Sequence, residues 1–213
     1  MLELVIFDAD GVLFESEESN IAFYNAIFRA VNEPPLTSEE AGRCIFLSAS
    51  QVFELRARGA PDRLRLMREV SSRLDFEPFF KLLKPCLKLR PFLLDLRDRY
   101  KLGLATNRSV TVSGMLEHLG ISDVFHAVTS CADNVRPKPA PDMLHLCLER
   151  AGVEASKAVY IGDSETDEIA AQAARIHFLG VGVRIASQNR VSGLADVPSE
   201  LDRLPVRLAS QQT

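Results

Sequence analysis

Five short apolar runs, each followed by a helical pattern, constrain the fold of this chain more than any other feature. The runs cover residues 4–7, 102–105, 124–129, 158–161 and 178–183. Strands that alternate with helices pair in parallel and bury both faces of the sheet under those helices. We therefore predict an α/β fold with a Rossmann-like, doubly wound parallel sheet.

The strand pattern is absent between Glu15 and about Pro85, where only helical patterns remain. In this interval the apolar residues have helical spacing, and Thr37 and Glu40 have the spacing of a capping box. The two clearest helical stripes are Ile21, Tyr24, Phe28 and Val31, and Leu64, Met67, Val70 and Leu74. We predict a helical cap domain at residues 15–86, inserted into a core domain formed by residues 1–14 and 87–213.

Composition excludes several classes of function. The net charge of -4 and the pI near 5.6 argue against a nucleic-acid binder, which usually carries a basic balance. No apolar stretch approaches the roughly 20 residues of a membrane span. The four cysteines lack the Cys-x-x-Cys spacing of zinc or redox sites, which favours reduced thiols. We expect a cytoplasmic protein, monomeric or homodimeric, without nucleic-acid or membrane partners.

Polar residues cluster where the predicted strands end. Ligands of open α/β sheets bind at the carboxyl ends of the strands, near the point where strand order reverses. The residues at these ends are Asp8 and Asp10 after the first run, Thr106, Asn107 and Arg108 after the second, Lys138 after the third, and Asp163, Ser164 and Asp167 after the fourth.

These side chains favour phosphoryl chemistry. Asp8 and Asp10 leave the end of an extended run on the same side, because side chains alternate with period two. Carboxylate oxygens suit Mg²⁺ better than zinc or copper. A metal and a lysine beside a carboxylate can stabilise a phosphoryl group during transfer, and an aspartate can be the nucleophile.

Four motifs in this order resemble the haloacid dehalogenase-like hydrolase superfamily. They are D-x-D-G-V-L at 8–13, T-N at 106–107, K-P-x-P-D at 138–142 and G-D-S-x-x-D at 162–167. The resemblance is strongest to the branch of phosphoglycolate phosphatases and β-phosphoglucomutases, which carries a helical cap after the first strand. It extends over residues 4–175 or so, and four separate signals make coincidence a poor explanation.

This resemblance implies roles in catalysis for five of the motif residues, namely Asp8, Asp10, Thr106, Asn107 and Lys138. Asp8 would be the nucleophile that accepts the phosphoryl group. Asp10 would protonate the leaving oxygen and later deprotonate the attacking water. Lys138 would balance charge beside Asp8, while Thr106 and the backbone of Asn107 would hold phosphoryl oxygens.

The resemblance also implies a metal site. Asp8, the backbone carbonyl of Asp10 and Asp163 would bind Mg²⁺, and Asp167 would complete or support that set of ligands.

Two positions depart from the family pattern. Glu15 replaces a usual aspartate near the entry to the cap, and Arg175 replaces a usual glycine at the end of the last helix.

Each motif also has a purely structural interpretation. An Asp-x-Asp-Gly sequence can form a turn, and Ser164 with Asp167 can form a capping box. Thr106 and Asn107 could cap the next helix, and Lys138 could be a solvated surface lysine. The joint occurrence of the motifs favours the functional interpretation, but it leaves Asn107 and Asp167 open.

The cap offers fewer signals for substrate recognition. We predict that Arg43 faces the substrate. Residues 56–90 contain ten Lys or Arg against four Asp or Glu. This basic stretch is interpreted as a solvated helix face, with the alternative that Arg56, Arg58 or Arg63 steers an anionic substrate into the cleft.

The predicted function is a Mg²⁺-dependent phosphatase that hydrolyses a small phosphomonoester through an aspartyl-phosphate. Its substrate would be a small phosphorylated metabolite, similar to phosphoglycolate or a sugar phosphate. Two alternatives remain open at this point. One is a sugar-phosphate mutase similar to β-phosphoglucomutase, and the other is a catalytically silent protein that binds phosphorylated metabolites.

Overall fold

Six parallel strands form the central sheet, which confirms the predicted α/β class. The computed structural model describes residues 1–44 and 47–204. The strands are β1 (Leu4–Phe7), β2 (Phe14–Glu15), β3 (Lys84–Pro85), β4 (Lys101–Thr106), β5 (Ala127–Ser130), β6 (Ala158–Gly162), β7 (His177–Val181) and β8 (Arg190–Val191). The sheet has the order β5-β4-β1-β6-β7-β8, whereas β2 and β3 form a separate antiparallel pair.

Strand β1 lies at the centre of the sheet and is buried along its whole length. Val5 and Phe7 point into the hydrophobic cluster on one face, and Leu4 and Ile6 point into the cluster on the other. A strand buried on both faces needs apolar side chains at every position. The strand order reverses at β1, between β4 and β6, which places the switch point of the fold beside Asp8.

Helices cover both faces of the sheet, as expected of a doubly wound fold. The core helices are α6 (Leu89–Arg97), α7 (Val112–His118), α8 (Asp142–Ala151), α9 (Glu165–Ala174) and α10 (Val197–Leu201). Helix α8 ends at Gly152 in the left-handed conformation, which confirms the predicted end. Helix α9 also ends in a left-handed residue, but here Arg175 takes that place with a φ of 58°. Arg175 therefore ends the helix in the left-handed conformation, although the residue is not a glycine.

The chain between β2 and β3 is helical, as the sequence predicts. Its helices are α1 (Glu17–Ala30), α2 (Ser38–Cys44), α3 (Ala49–Ala57), α4 (Pro61–Arg73) and α5 (Glu77–Phe80). They enclose a separate small core that includes Tyr24, Phe28 and Met67 from the two predicted stripes. The capping box is confirmed, because Thr37 and Glu40 exchange backbone-to-side-chain hydrogen bonds at the start of α2.

The third and fifth strands differ from their predicted ranges. The third begins at Ala127 rather than at residue 124, because Val124 is a buried loop residue whose apolar character imitates a strand. The fifth ends at Val181, since Gly182 adopts a left-handed φ of 82°. Within the described residues, none of the helices is both long enough and apolar enough to cross a membrane.

Candidate active site

The carboxyl ends of β1, β4 and β6 bring most of the predicted site residues into one cavity. On the core side, its lining comprises Asp8, Asp10, Thr106, Asn107, Arg108, Lys138 and Asp163. On the side of the helical region, aromatic residues predominate, namely Phe23, Tyr24, Phe76, Phe79 and Phe80. The cavity therefore has a charged floor and a mostly apolar cover.

Lys138 lies at the centre of a buried hydrogen-bonded cluster and is not a solvated surface lysine. Its Nζ is 2.7 Å from Asp8 Oδ1 and 2.6 Å from Asp167 Oδ1, and it donates to the hydroxyl of Tyr160 at 2.8 Å. The side chain is only 4% exposed. Burial alone would lower the pKa of Lys138, but the charges of Asp167 and Asp8 raise it above its ordinary value.

Asn107 fixes the backbone of Lys138. Its Oδ1 accepts a hydrogen bond from the Lys138 amide at 2.8 Å, and its Nδ2 donates to the Lys138 carbonyl at 3.2 Å. The side chain of Asn107 thus joins the end of β4 to the loop that carries the lysine. This contact was not predicted, because it depends on how two distant loops meet.

Asp167 caps helix α9, as one interpretation of the sequence predicts, and it also contacts Lys138. Its Oδ2 accepts hydrogen bonds from the amide and hydroxyl of Ser164, which completes the capping box of α9. Its Oδ1 accepts from Lys138 and from the hydroxyl of Tyr160. Sequence reasoning missed Tyr160, although a tyrosine in an otherwise aliphatic buried strand needs a partner for its hydroxyl.

Three carboxylates form a candidate metal site. Asp8, Asp163 and Asp167 each offer an oxygen, and these atoms lie within 4.8 Å of one another. Asp163 Oδ2 is buried and accepts no hydrogen bond from any residue described in the structure. A Cβ on Gly11, whose φ is 80°, would lie 2.0 Å from this same oxygen. Glycine therefore permits the close approach, and the free oxygen fits a hard divalent cation.

The negative charges of the three carboxylates repel one another. Burial, together with the charge of Asp167, raises the pKa of Asp163 to about 7. The pKa of Asp8 is also raised well above its ordinary value, chiefly by burial, although Lys138 opposes the shift. A cation bound here would favour the ionised form of each carboxylate.

Glu15 connects this triad to the start of the helical region. Arg184 donates a hydrogen bond from Nη2 to Glu15 Oε2 at 3.2 Å, and its Nη1 lies 3.6 Å from Asp163 Oδ2. The glutamate that departs from the family pattern thus shares an arginine with a candidate metal ligand.

Asp10 is held by Arg108, a residue to which the sequence analysis gave no role. The Nε and Nη2 atoms of Arg108 donate to the two carboxylate oxygens of Asp10 at 2.8 and 2.7 Å. Burial would raise the pKa of Asp10, but the charge and hydrogen bonds of Arg108 hold it below the ordinary value. Thr106 is buried at the end of β4, and its Oγ1 accepts from the amide of Arg108 at 3.2 Å.

The structure does not bring Arg43 into this cavity. Arg43 forms an ion pair with Glu39 on α2, its side chain is 65% exposed, and it lines a separate groove with Arg58. Arg56 is buried against Glu40, and Arg63 pairs with Glu33. Within the described part of the chain, no basic residue of the 56–90 stretch lines the cavity. Several of them form ion pairs with acidic residues of the helical region, among them Arg68 with Glu54 and Arg73 with Glu69.

The sequence matches the family model of haloacid dehalogenase-like hydrolases over residues 5–181. The chain belongs to this hydrolase family. The match begins within β1 and ends with β7, so it includes the four motifs and the helical region between β2 and β3. The resemblance stated from the motifs is thereby confirmed.

Relatives of this hydrolase carry different substrate names. A phosphoglycolate phosphatase of Colwellia psychrerythraea is 24% identical over 189 residues, which is 84% of this chain and 84% of the relative. The pyrophosphatase PpaX of Bacillus pumilus is 25% identical and covers 88% of this chain and 86% of its own. The crystal structure of a subfamily IA hydrolase from Geobacter sulfurreducens superposes with a TM-score of 0.73 at 27% identity, covering 94% of this chain and 96% of that one.

Proposed function

We propose that this hydrolase is a Mg²⁺-dependent phosphatase that acts on a small phosphomonoester through an aspartyl-phosphate on Asp8. The observation that carries the proposal is the contact between Lys138 Nζ and the Asp8 carboxylate, 2.7 Å long and buried beside two further aspartates. This arrangement places the positive charge of Lys138 at a carboxylate that faces a cavity. Such an arrangement suits an attack on a phosphoryl group.

In the first half of the reaction, a carboxylate oxygen of Asp8 attacks phosphorus, and the bond from phosphorus to the substrate oxygen breaks. Asp10 donates a proton to that leaving oxygen. Lys138, Thr106 and the backbone of Asn107 contact the phosphoryl oxygens and offset their negative charge. A divalent cation held by Asp8, the Asp10 carbonyl, Asp163 and Asp167 would supply further positive charge at the same place.

In the second half, water attacks phosphorus, and the bond between phosphorus and Asp8 breaks to release inorganic phosphate. Asp10, now deprotonated, takes the proton from this water. The aromatic side chains of the helical region cover the cavity and limit access of other water molecules. Asp8 and Asp10 thus each act in both halves of the reaction.

The names of the relatives suggest a substrate class. The relatives described above are named for phosphoglycolate and for pyrophosphate. Both are small and carry a phosphoryl group. We infer a small phosphorylated metabolite, with phosphoglycolate as the first compound to assay.

The test is release of inorganic phosphate from phosphoglycolate, p-nitrophenyl phosphate and pyrophosphate, with Mg²⁺ and with EDTA. We expect turnover with Mg²⁺, loss of turnover in EDTA, and recovery when Mg²⁺ is added in excess. Product analysis with glucose 1-phosphate separates hydrolysis from phosphoryl return to the sugar, which a mutase would show. If no compound releases phosphate under any metal condition, the proposal fails and a silent binding protein is favoured.

A second prediction concerns the metal ligand Asp163. Its pKa of about 7 in the folded protein lies above the ordinary 3.8, so its contribution to stability is present at low pH and lost as the pH rises through 7. In EDTA at about pH 8.5, Asp163→Asn is expected to raise the free energy of unfolding by about 2–4 kcal/mol, with a smaller gain near pH 5. Urea denaturation at both pH values measures this difference.

The same variant tests whether Asp163 binds the cation. Mg²⁺ is expected to raise the Tm of the natural protein at about pH 8.5 and to have little effect on Asp163→Asn. Asp196→Asn, a change outside the cavity, serves as the matched control and should respond to Mg²⁺ like the natural protein. An equal Tm increase in Asp163→Asn would remove Asp163 from the metal site.

A further inference from the structure

Arg108 is placed to recognise a part of the substrate that the chemistry at Asp8 does not use. It follows Thr106 and Asn107 at the end of β4 and lines the same cavity. Its Nη2 also donates to Asn20 Oδ1 on α1 at 3.1 Å, so the guanidinium lies between the core and the helical region. The side chain is 13% exposed, which leaves an edge of it open to the cavity.

Arg108 and Lys138 are the cationic side chains among the described residues that line the cavity. Lys138 is surrounded by Asp8, Asp167 and Tyr160 at the floor. Arg108 uses Nε and Nη2 for its contacts with Asp10 and Asn20, and no described residue accepts a hydrogen bond from its Nη1. The two N–H groups of Nη1 are therefore available to an anion that enters from the cavity.

An anion bound by Arg108 would compete with Asp10 for the same guanidinium. Both carboxylate oxygens of Asp10 accept hydrogen bonds from Arg108. Arg108 thus holds the Asp10 carboxylate turned toward the guanidinium, and opening of the pair lets this carboxylate turn toward a leaving group. A carboxylate or phosphate competes well for a guanidinium, because it matches the same two-pronged geometry.

We propose that Arg108 binds a second anionic group of the substrate, a carboxylate or a second phosphate, and that this group displaces Asp10 from Arg108. This inference rests on the proposed phosphatase function and narrows its substrate class to molecules with a second anionic group besides the phosphoryl group. Arg108 then has two effects: it selects these substrates, and it releases Asp10 only when one of them is bound. A phosphomonoester without a second anionic group leaves the Arg108–Asp10 pair closed and is turned over slowly.

The test compares phosphoglycolate with ethyl phosphate, which has the same heavy-atom chain without the carboxylate. With Mg²⁺, we expect kcat/KM of the natural protein to favour phosphoglycolate by about 10- to 100-fold, the effect of one charge-assisted ion pair. Arg108→Met should bring this ratio close to one. Arg108→Lys, which keeps the charge and loses the two-pronged geometry, should give an intermediate ratio.

Pyrophosphate is the third substrate and separates the two sources of the second anion. Its leaving group is better than that of ethyl phosphate, so the change caused by the mutation is what matters. If Arg108→Met lowers the preference for pyrophosphate over ethyl phosphate by a factor similar to that for phosphoglycolate, Arg108 accepts a phosphate as well as a carboxylate. Arg68→Met is the matched control, because Arg68 is exposed, pairs with Glu54 and lies outside the cavity. Its substrate ratio should equal that of the natural protein.

Two results would overturn the inference. One is a natural protein that hydrolyses ethyl phosphate and phosphoglycolate equally well, and the other is an Arg108→Met variant, folded by circular dichroism, with an unchanged ratio. Both leave the phosphatase function intact, since turnover is still observed. Failure of the phosphatase function itself looks different, because then the natural protein releases phosphate from none of the three compounds.

Discussion

Asp8→Asn is expected to lower kcat at least about 1,000-fold with every substrate that the natural protein hydrolyses. The amide has nearly the shape of the carboxylate but is not a nucleophile, so the covalent step is lost while binding is retained. Steady-state phosphate release measures the decrease. Mass spectrometry of acid-quenched samples should detect one added phosphoryl group on the natural protein and none on the variant.

The control for this experiment is Asp142→Asn. Asp142 forms an ion pair with Arg136 and does not line the cavity, so its kcat should stay close to that of the natural protein. Asp8→Asn is also expected to fold, because it removes one of several buried like charges. If Asp8→Asn keeps a kcat within a few-fold of the natural value, the covalent mechanism is wrong.

Lys138→Met is expected to lower the free energy of unfolding by about 3–5 kcal/mol near neutral pH in EDTA. The lysine is buried between Asp8 and Asp167, and its removal leaves two buried carboxylates without their cation. Urea denaturation measures the loss. It should decrease at low pH, where the carboxylates become protonated and no longer need a counter-charge.

A double variant separates loss of charge balance from loss of packing. Lys138→Met combined with Asp167→Asn should be more stable than Lys138→Met alone, because it removes one of the uncompensated charges. Arg90→Met serves as the surface control, since its ion pair with Asp123 is solvent-exposed and should contribute far less. If the free energy of unfolding of Lys138→Met equals that of Arg90→Met, the cluster of Lys138, Asp8 and Asp167 is not desolvated.

The sheet could be predicted because its strands are apolar on both faces. Each of the five predicted runs overlaps an observed strand, and β1 has the predicted bounds of residues 4–7. The strands β2, β3 and β8 have two residues each, which is too short for a periodic pattern. Their formation depends on tertiary contacts, and Pro85 within β3 further conceals the strand from the sequence.

The floor of the site could be predicted in part because parallel strands end at one edge of the sheet. Asp8, Lys138 and Asp163 approach one another there for that reason. The role of Arg108 and the presence of Tyr160 in the site were missed, since their partners lie on other segments and no short motif marks them. Arg43 was predicted to face the substrate, but the structure places it outside the cavity. The sequence could not show this, because the position of its side chain depends on its ion pair with Glu39.

The pairing of β2 with β3 has an evolutionary consequence. Phe14 lies opposite Pro85 and Glu15 opposite Lys84, so the chain enters and leaves the helical region at neighbouring points. An insertion with adjacent ends can be replaced by another without disturbing the scaffold beneath it. In this protein such an exchange would also remove Asn20, which accepts a hydrogen bond from Arg108. A different helical region would therefore need its own acceptor for Arg108 to keep the substrate selectivity proposed above.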